Sequence, residues 1–415
     1  MRILHVAAHL GGGVGKAHAA LAEARQAAGC LESHRFLLLE APQDRRFVDR
    51  IVAAGAEVVV APDAAAIARH TEAADILQVE WWSHPRLYEC LARRPLPPHR
   101  LVLWAHISGL APPVIPSALA ELAEVTAFTS ACSFAAGNLQ PEIARRPEAF
   151  IVANSGFGFS APREPSERPS GPPRIGYLGT LDFAKLHPGV FAAIDAARSD
   201  IRVRLFGSVD PGGAVATAAA AMRRPERVSL EGHADDPASA LAGLDVFFYP
   251  LSPDHYGTGE NALVEAMSLG LCPLVLDNPA ERAIVSHGET GIVAGSLEEC
   301  AGWLDWMVGH PSDVAALGAA TARHVAAHHA PAATLSVFAA LYDRAVAAPK
   351  RRRDYVEVLG AGPAEWFAAS LGVPARGGEA LSEASGLFGP TATKGSIAHF
   401  RRCFPGDPAL WAIAG

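Results

Sequence analysis

The residues best able to do chemistry lie in Asp254-His-Tyr-Gly-Thr-Gly-Glu-Asn-Ala-Leu-Val-Glu-Ala-Met-Ser-Leu-Gly270, where a polar, glycine-rich loop runs into an apolar helix start. Backbone N–H groups at a helix N-terminus attract anions such as phosphate. The amides of Gly257, Thr258, Gly259, Glu260, Asn261 and Ala262 are therefore candidate contacts to a phosphorylated ligand. Glu265 follows one helical turn after the loop, where a carboxylate can accept two hydrogen bonds from a ribose diol; an acid that only complements the helix dipole is the plainer alternative. A second chemical stretch, Gly176-Tyr-Leu-Gly-Thr-Leu-Asp-Phe-Ala-Lys185-Leu-His-Pro188, ends a strand and precedes a helix. Its turn at Gly179 and Thr180 leads to Lys185, a flexible point charge suited to phosphate, or else a solvated surface lysine. Val228-Ser-Leu-Glu-Gly-His-Ala234 also ends a strand, and its main chain around His233 has a good shape for a planar base. Near the N-terminus, His9-Leu-Gly-Gly-Gly-Val-Gly-Lys16-Ala17 is not a P-loop. Leu10 stands for the first glycine and Ala17 for the magnesium-binding hydroxyl residue. What remains is a flexible loop, with Gly12 and Gly13 approaching a ligand, or a plain tight turn.

The elements that must position these groups alternate along the whole chain. Expected strands are Arg2–Ala7, Arg35–Leu39, Glu57–Ala61, Ile76–Val79, Leu101–Ala105, Val125–Thr129 and Phe150–Asn154, with a helix at Lys16–Ala28. A Pro- and Ser-rich break at Ser160–Pro173 reads as a linker. The alternation restarts with strands at Arg174–Tyr177, Arg202–Phe206, Val228–Glu231, Val246–Pro250, Pro273–Leu276 and Ile292–Val293. Helices are expected at Pro188–Ala197, Pro237–Leu241, Asn261–Leu269, Leu297–Gly309, Pro311–Ala327 and Pro331–Ala347. This is an α/β pattern of two doubly wound lobes with parallel sheets. Ligands of such sheets sit beyond the C-terminal strand ends, so two facing sheets would enclose a cleft. The domains read as 1–165, 166–347 and an extension, 348–415. The extension opens on the basic cluster Lys350–Arg353 and carries Trp366, Phe367, Phe388, Phe400, Phe404 and Trp411, which is aromatic enough to pack onto the lobes.

Composition sets outer limits. The 415 residues are 50% hydrophobic and 19% charged, which is a well-buried globular protein. A net charge of −8 argues against a general nucleic-acid binder, and no apolar run is long enough for a transmembrane segment. The six cysteines form no Cys-x-x-Cys pair, Cys272 reads as a core residue, and a reducing cytoplasm is the expected compartment. Asp235-Asp236 before Pro237 reads as a helix cap rather than a metal site. Trp81, Trp82 and Trp104, near strand ends, could stack on a sugar or belong to the core.

In their order, the motifs of residues 170–345 resemble the donor lobe of GT-B glycosyltransferases of family 4. Lys185 matches that family's phosphate lysine, Glu265-Ala-Met-Ser-Leu-Gly270 its ribose-binding glutamate and helix, and His287-Gly-Glu-Thr-Gly-Ile292 its closing turn. The N-terminal lobe matches only in pattern, through its glycine loop, the Gln78-Val-Glu-Trp-Trp-Ser83 strand end and His106, which stands where the family often has a residue facing the reaction centre. Two positions depart: Thr180 stands for the usual arginine, with Lys16, Arg282 or the 350–353 cluster as candidate replacements. Gly257 stands for the upstream glutamate, with Glu260 out of register nearby. The resemblance implies two Rossmann-like lobes with an interdomain cleft and a metal-independent, retaining transfer. The co-substrate would be a nucleotide-diphosphate sugar with no further cofactor, and the acceptor a small molecule, glycan or lipid-linked group. It implies catalytic roles for His106, Lys185 and Glu260. A nucleotide-sugar epimerase of the same fold, or a catalytically weak nucleotide-sugar-binding protein, is the alternative.

Overall fold

The computed structural model describes residues 1–94, 96–156, 171–255, 257–373 and 395–413. The chain folds as two compact units: Met1–Gly156 with Tyr256–Gly259 and Pro331–Gly415, and Phe157–His255 with Glu260–Ala330. Much of the expected linker, with the expected boundary at 165, lies outside the described residues, as does Phe388.

The first unit holds seven strands: β1 (Arg2–Ala7), β2 (Ser33–Leu38), β3 (Glu57–Val60), β4 (Ile76–Trp81), β5 (Leu101–Ala105), β6 (Val125–Phe128) and β7 (Phe150–Val152). They form one sheet in the order β3-β2-β1-β4-β5-β6-β7, paired in parallel throughout. Helices cover both faces of such a sheet, so its central strands are buried on both sides. β5 is wholly apolar and wholly buried. β4 is equally buried although it carries Gln78 and Glu80.

The second unit repeats the design with β8 (Ile175–Leu178), β9 (Val203–Phe206), β10 (Val228–Gly232), β11 (Val246–Tyr249), β12 (Cys272–Leu276) and β13 (Ile292–Ala294). Its order is β10-β9-β8-β11-β12-β13, again parallel. The strand order reverses beside β8, between β9 and β11. Such a switch point opens a crevice at the C-terminal strand ends. Cys272 is fully buried in β12, as a core residue should be.

Three differences from the sequence reading have physical causes. The first helix runs Gly12–Ala27, so Gly12 and Gly13 form its opening turn rather than a free loop. The glycine that packing demands is Gly15, where a Cβ would lie 1.9 Å from the Leu10 carbonyl oxygen. A helix at Ala214–Ala220 was not expected, because its alanine-rich run has no apolar periodicity. The helix Pro331–Ala347, expected with the second lobe, belongs to the first unit, where it packs on the helix Gly12–Ala27 and on β4 and β6. The tryptophans at the strand ends are core: Trp81, Trp82 and Trp104 are all buried.

The extension also packs into the first unit. Trp366, Phe367, Phe400 and Phe404 join the cluster formed by Leu87, Tyr88 and Leu91 of the helix Pro85–Ala92. The Arg93 guanidinium lies 4.9 Å from the Trp366 ring centre. Trp411 remains 58% exposed. The basic cluster is largely structural: buried Arg353 pairs with Glu124 and donates to Leu122 O at 2.9 Å, and Lys350 Nζ donates to Glu72 O. These contacts remove Arg353 and Lys350 as replacements for the missing arginine. Among the described residues, no helix is long and apolar enough to cross a membrane.

Candidate functional site

In the second unit, glycines shape the mouth of the sheet. Gly179 N donates to Phe206 O at 3.0 Å and Gly207 N to Gly232 O at 2.8 Å, tying the ends of β8, β9 and β10 together. Gly207 has φ +159, and a Cβ there would meet Gly179 O at 2.2 Å, so only glycine permits this approach. His233 follows on the exposed side, 4.0 Å from Asp235, while Asp236 caps its helix through Ala238 N and Ser239 N. Thr180 is exposed, and its carbonyl accepts from the Tyr177 hydroxyl at 2.8 Å.

Lys185 is held by its own turn. Its N–H donates to Asp182 O, its carbonyl accepts from Ser252 N, and Leu186 bridges Leu251 just past β11. The side chain is a quarter exposed, and Nζ lies 3.1 Å from Glu260 Oε2 and 5.6 Å from the Tyr249 ring centre. Burial works against the ammonium, yet the Glu260 charge outweighs it and holds the pKa well above its ordinary value. Lys185 and Glu260, separate candidates in the sequence, are thus one ion pair.

Glu260 is the residue that starts the helix Asn261–Ser268. Its φ of +27 is unusual for a side chain with a Cβ. A glutamate in this place could cap the helix, but it makes no side-chain cap. Its carboxylate turns instead to the Tyr249 hydroxyl, which donates to Oε2 at 2.7 Å, and to Lys185. His255 Nδ1 lies 3.7 Å from Oε1, and His255 Nε2 lies 3.0 Å from Glu281 Oε1. Burial raises the pKa of Glu260, but the charges of Lys185 and His255 outweigh it and leave the group ionised. Burial opposes the charged form of His255, while its hydrogen bond to Glu281 and the nearby Glu260 raise its pKa overall. Burial raises the pKa of Glu281. Glu265 is buried on the next turn of the helix, with Asn261 and Ala262 half-buried before it.

The structure therefore assembles Lys185, Glu260, Asn261, Ala262, Glu265, Gly179, Thr180 and His233 on one sheet edge of one unit. The preceding loop residues behave differently. Gly257, Thr258 and Gly259 fall in the first unit, where the Thr258 and Thr129 hydroxyls are 3.3 Å apart. Tyr249, His255 and Glu281 were missed. His255 and Glu281 are distant in sequence and come together only because β11 and β12 are neighbours. Three ligand atoms of His255, Glu260 and Glu281 are close enough to hold a cation, but the Lys185 ammonium already lies against Glu260.

In the first unit His106 follows β5, its N–H donating to Trp81 O at 2.7 Å. Its Nε2 lies 3.0 Å from Glu80 Oε2. Around Glu80 stand His5, His18 and Gln78, none of which was singled out from the sequence as a site residue. A usable signal existed: Gln78 and Glu80, two apart on a wholly buried strand, must share a face. Gly12 and Gly13 begin the helix that carries His18.

Residues 172–307 match the family model of glycosyl transferases group 1. No curated protein sequence matches the chain. Among solved structures, a glycosyltransferase from Rickettsia africae superposes with a TM-score of 0.64 at 12% identity, over 83% of this chain and 98% of that one. Anabaena Alr3699/HepE in complex with UDP gives 0.65 at 16% identity, over 83% and 100%. Sucrose-phosphate synthase from Thermosynechococcus elongatus gives 0.60 at 15%, over 84% and 99%. Identities this low speak to fold, and the family model to the second unit. The chain is built on the GT-B glycosyltransferase fold, with a group 1 glycosyl transferase domain over residues 172–307.

Proposed function

We propose that the protein is a retaining glycosyltransferase that takes its sugar from a nucleotide-diphosphate donor. The observation that carries this reading is the Lys185 ammonium at the mouth of the second sheet, 3.1 Å from the residue that starts the helix Asn261–Ser268. As the anomeric carbon–oxygen bond breaks, negative charge gathers on the departing diphosphate. A lysine and helix N–H groups aimed at that charge lower the barrier without a metal ion. Because Glu260 faces Lys185 and not the helix amides, those amides can face a phosphate instead. Glu265 holds the ribose through its diol, and main chain near Gly232 and His233 holds the base. Retention follows if the acceptor oxygen attacks on the face the diphosphate leaves and passes its proton to the departing phosphate. Structures of the Anabaena protein with UDP, and with UDP-glucose, support a nucleotide-sugar donor by analogy of fold. The acceptor is a hydroxyl-bearing small molecule, glycan or lipid-linked group reached from the cytoplasm.

Calorimetric titration with a panel of nucleotide-diphosphate sugars, followed by product analysis with and without acceptor, tests the reading. Transfer with retained anomeric configuration is expected. Interconversion of the donor without acceptor would point to an epimerase, and tight binding without turnover to a binding protein.

A further inference from the structure

The first unit carries a charged cavity at the edge of its sheet where strands begin. It lies at the N-terminal ends of β6 and β7 and encloses about 540 Å³, within the range of small-molecule sites. Its charged lining gathers Arg146, Arg344, Arg351, Arg352, Arg353 and Glu148. Two of these arginines are spent on the fold. The Arg353 side chain is 4% exposed, pairs with Glu124 and donates to Leu122 O and His99 O. Arg146 pairs with Glu142 and donates to Ala123 O at 3.3 Å and Ala120 O at 3.2 Å. Glu121, also on the wall, is taken by Arg145 at 2.8 Å.

Arg344, Arg351 and Arg352 differ. They are exposed, and their guanidiniums meet no acceptor among the described residues. Arg344 lies in the last turn of the helix Pro331–Ala347, where the dipole favours a cation. That reason does not extend to Arg351 and Arg352. Their backbone is pinned, because Arg351 N donates to His99 O and His99 N to Arg351 O, both at 3.0 Å. The structural pairs neutralise one another, which leaves three cations facing one carboxylate, Glu148, in a chain of net charge −8.

A guanidinium presents a planar fork that matches two phosphate oxygens. Glu148 would repel a bare phosphate but accepts hydrogen bonds from hydroxyl groups. We propose that this cavity binds a small phosphate monoester, with its phosphate on Arg351 and Arg352 and one of its hydroxyls on Glu148. Ligands that react in such sheets sit at the opposite, C-terminal strand ends, so the occupant is an accessory ligand and not a reactant. The assignment does not depend on the glycosyl-transfer reading.

Calorimetric titration of the full-length protein at low salt, with glucose 6-phosphate, inorganic phosphate and glucose as probes, tests the site. Glucose 6-phosphate should bind more tightly than inorganic phosphate, and glucose should not bind. The double variant Arg351→Ala/Arg352→Ala should weaken glucose 6-phosphate at least about tenfold. Its melting temperature should not change, since these side chains hold nothing in the fold. Glu148→Gln should narrow the gap between the two anions, and Lys185→Ala should leave both unchanged. No binding of glucose 6-phosphate, or a double variant that binds like wild type, overturns the proposal. So does a loss no larger than in Arg45→Ala/Arg46→Ala, which removes two exposed arginines elsewhere and reports diffuse charge alone. Loss in Lys185→Ala alone would move the phosphate to the second unit. Capture on phosphatidylcholine vesicles containing phosphatidic acid, dependent on Arg351 and Arg352 and without binding of glucose 6-phosphate, would make the occupant a lipid headgroup. Either result also overturns the proposal.

Discussion

Each unit buries a glutamate, Glu80 on β4 and Glu260 at the start of the helix Asn261–Ser268, and the two are stabilised by opposite means. Glu260 is held by a cation: Lys185 and the Tyr249 hydroxyl meet at Oε2, with His255 beyond Oε1. Glu80 is held by imidazole and amide N–H groups, with no lysine or arginine among its contacts in the described residues. The difference matters for chemistry. A lysine that shares a carboxylate can exchange it for a phosphate and return, so the pair is a movable charge. A carboxylate ringed by imidazole and amide donors fixed in the fold has no mobile cation to exchange, so it sets geometry and hydrogen-bond direction.

The largest expected separation is in stability. Glu80→Ala leaves several buried N–H donors unpaired at once, at about 1–3 kcal/mol each before relaxation. Glu260→Ala leaves a lysine that is a quarter exposed and can reach water, so its cost should be smaller. Denaturant midpoints of the two variants check this, and equal losses would erase the distinction. The pH response comes next. His5 titrates at about 4 in the fold, against 6.5 as its ordinary value. Its contribution is intact above pH 6.5 and is lost as pH falls toward 4, by about 3 kcal/mol. His34 is lowered by burial too and acts in the same direction. His255 is raised, so its contribution is full below its unfolded pKa and is lost as pH rises through the folded one. Hydrogen exchange at pH 7.5 and pH 5, corrected for intrinsic rates, should show β1 and β4 losing protection on acidification while β11 and β12 do not. The reverse order would contradict a neutral His5 and His34 beside a raised His255. The smallest effect is expected from Tyr342→Phe. Loss of one buried hydroxyl donor costs about 1 kcal/mol and loosens Gln78, which a small drop in melting temperature would register.

The alternating fold was legible because buried parallel strands are short apolar runs that contrast with the helices between them. The Ala214–Ala220 helix escaped because alanine runs carry no periodicity to read. At the proposed donor site, Lys185 and Glu265 could be picked out because each follows a recognisable strand or helix boundary. Their partners could not. Glu260 stands three positions past Gly257 in the sequence, and only the folded helix start shows its carboxylate turned to Lys185 and Tyr249. His5, His18 and Glu80 met only through the β1–β4 register, which pairs His5 with Gln78, and through the helix laid across it. The first unit's claim on Pro331–Ala347 was likewise invisible, since a helix pattern does not say which sheet it covers.

The most direct test of the donor site is turnover of a nucleotide-diphosphate sugar by Lys185→Ala and Glu265→Ala, with melting temperatures measured alongside. Loss of leaving-group stabilisation at Lys185 should lower kcat by about 100-fold, and loss of the ribose contact should lower kcat/KM more than tenfold (about 1.4 kcal/mol), in proteins that remain folded. Unchanged turnover in both variants would contradict the assignment of the second unit's sheet edge as the donor site.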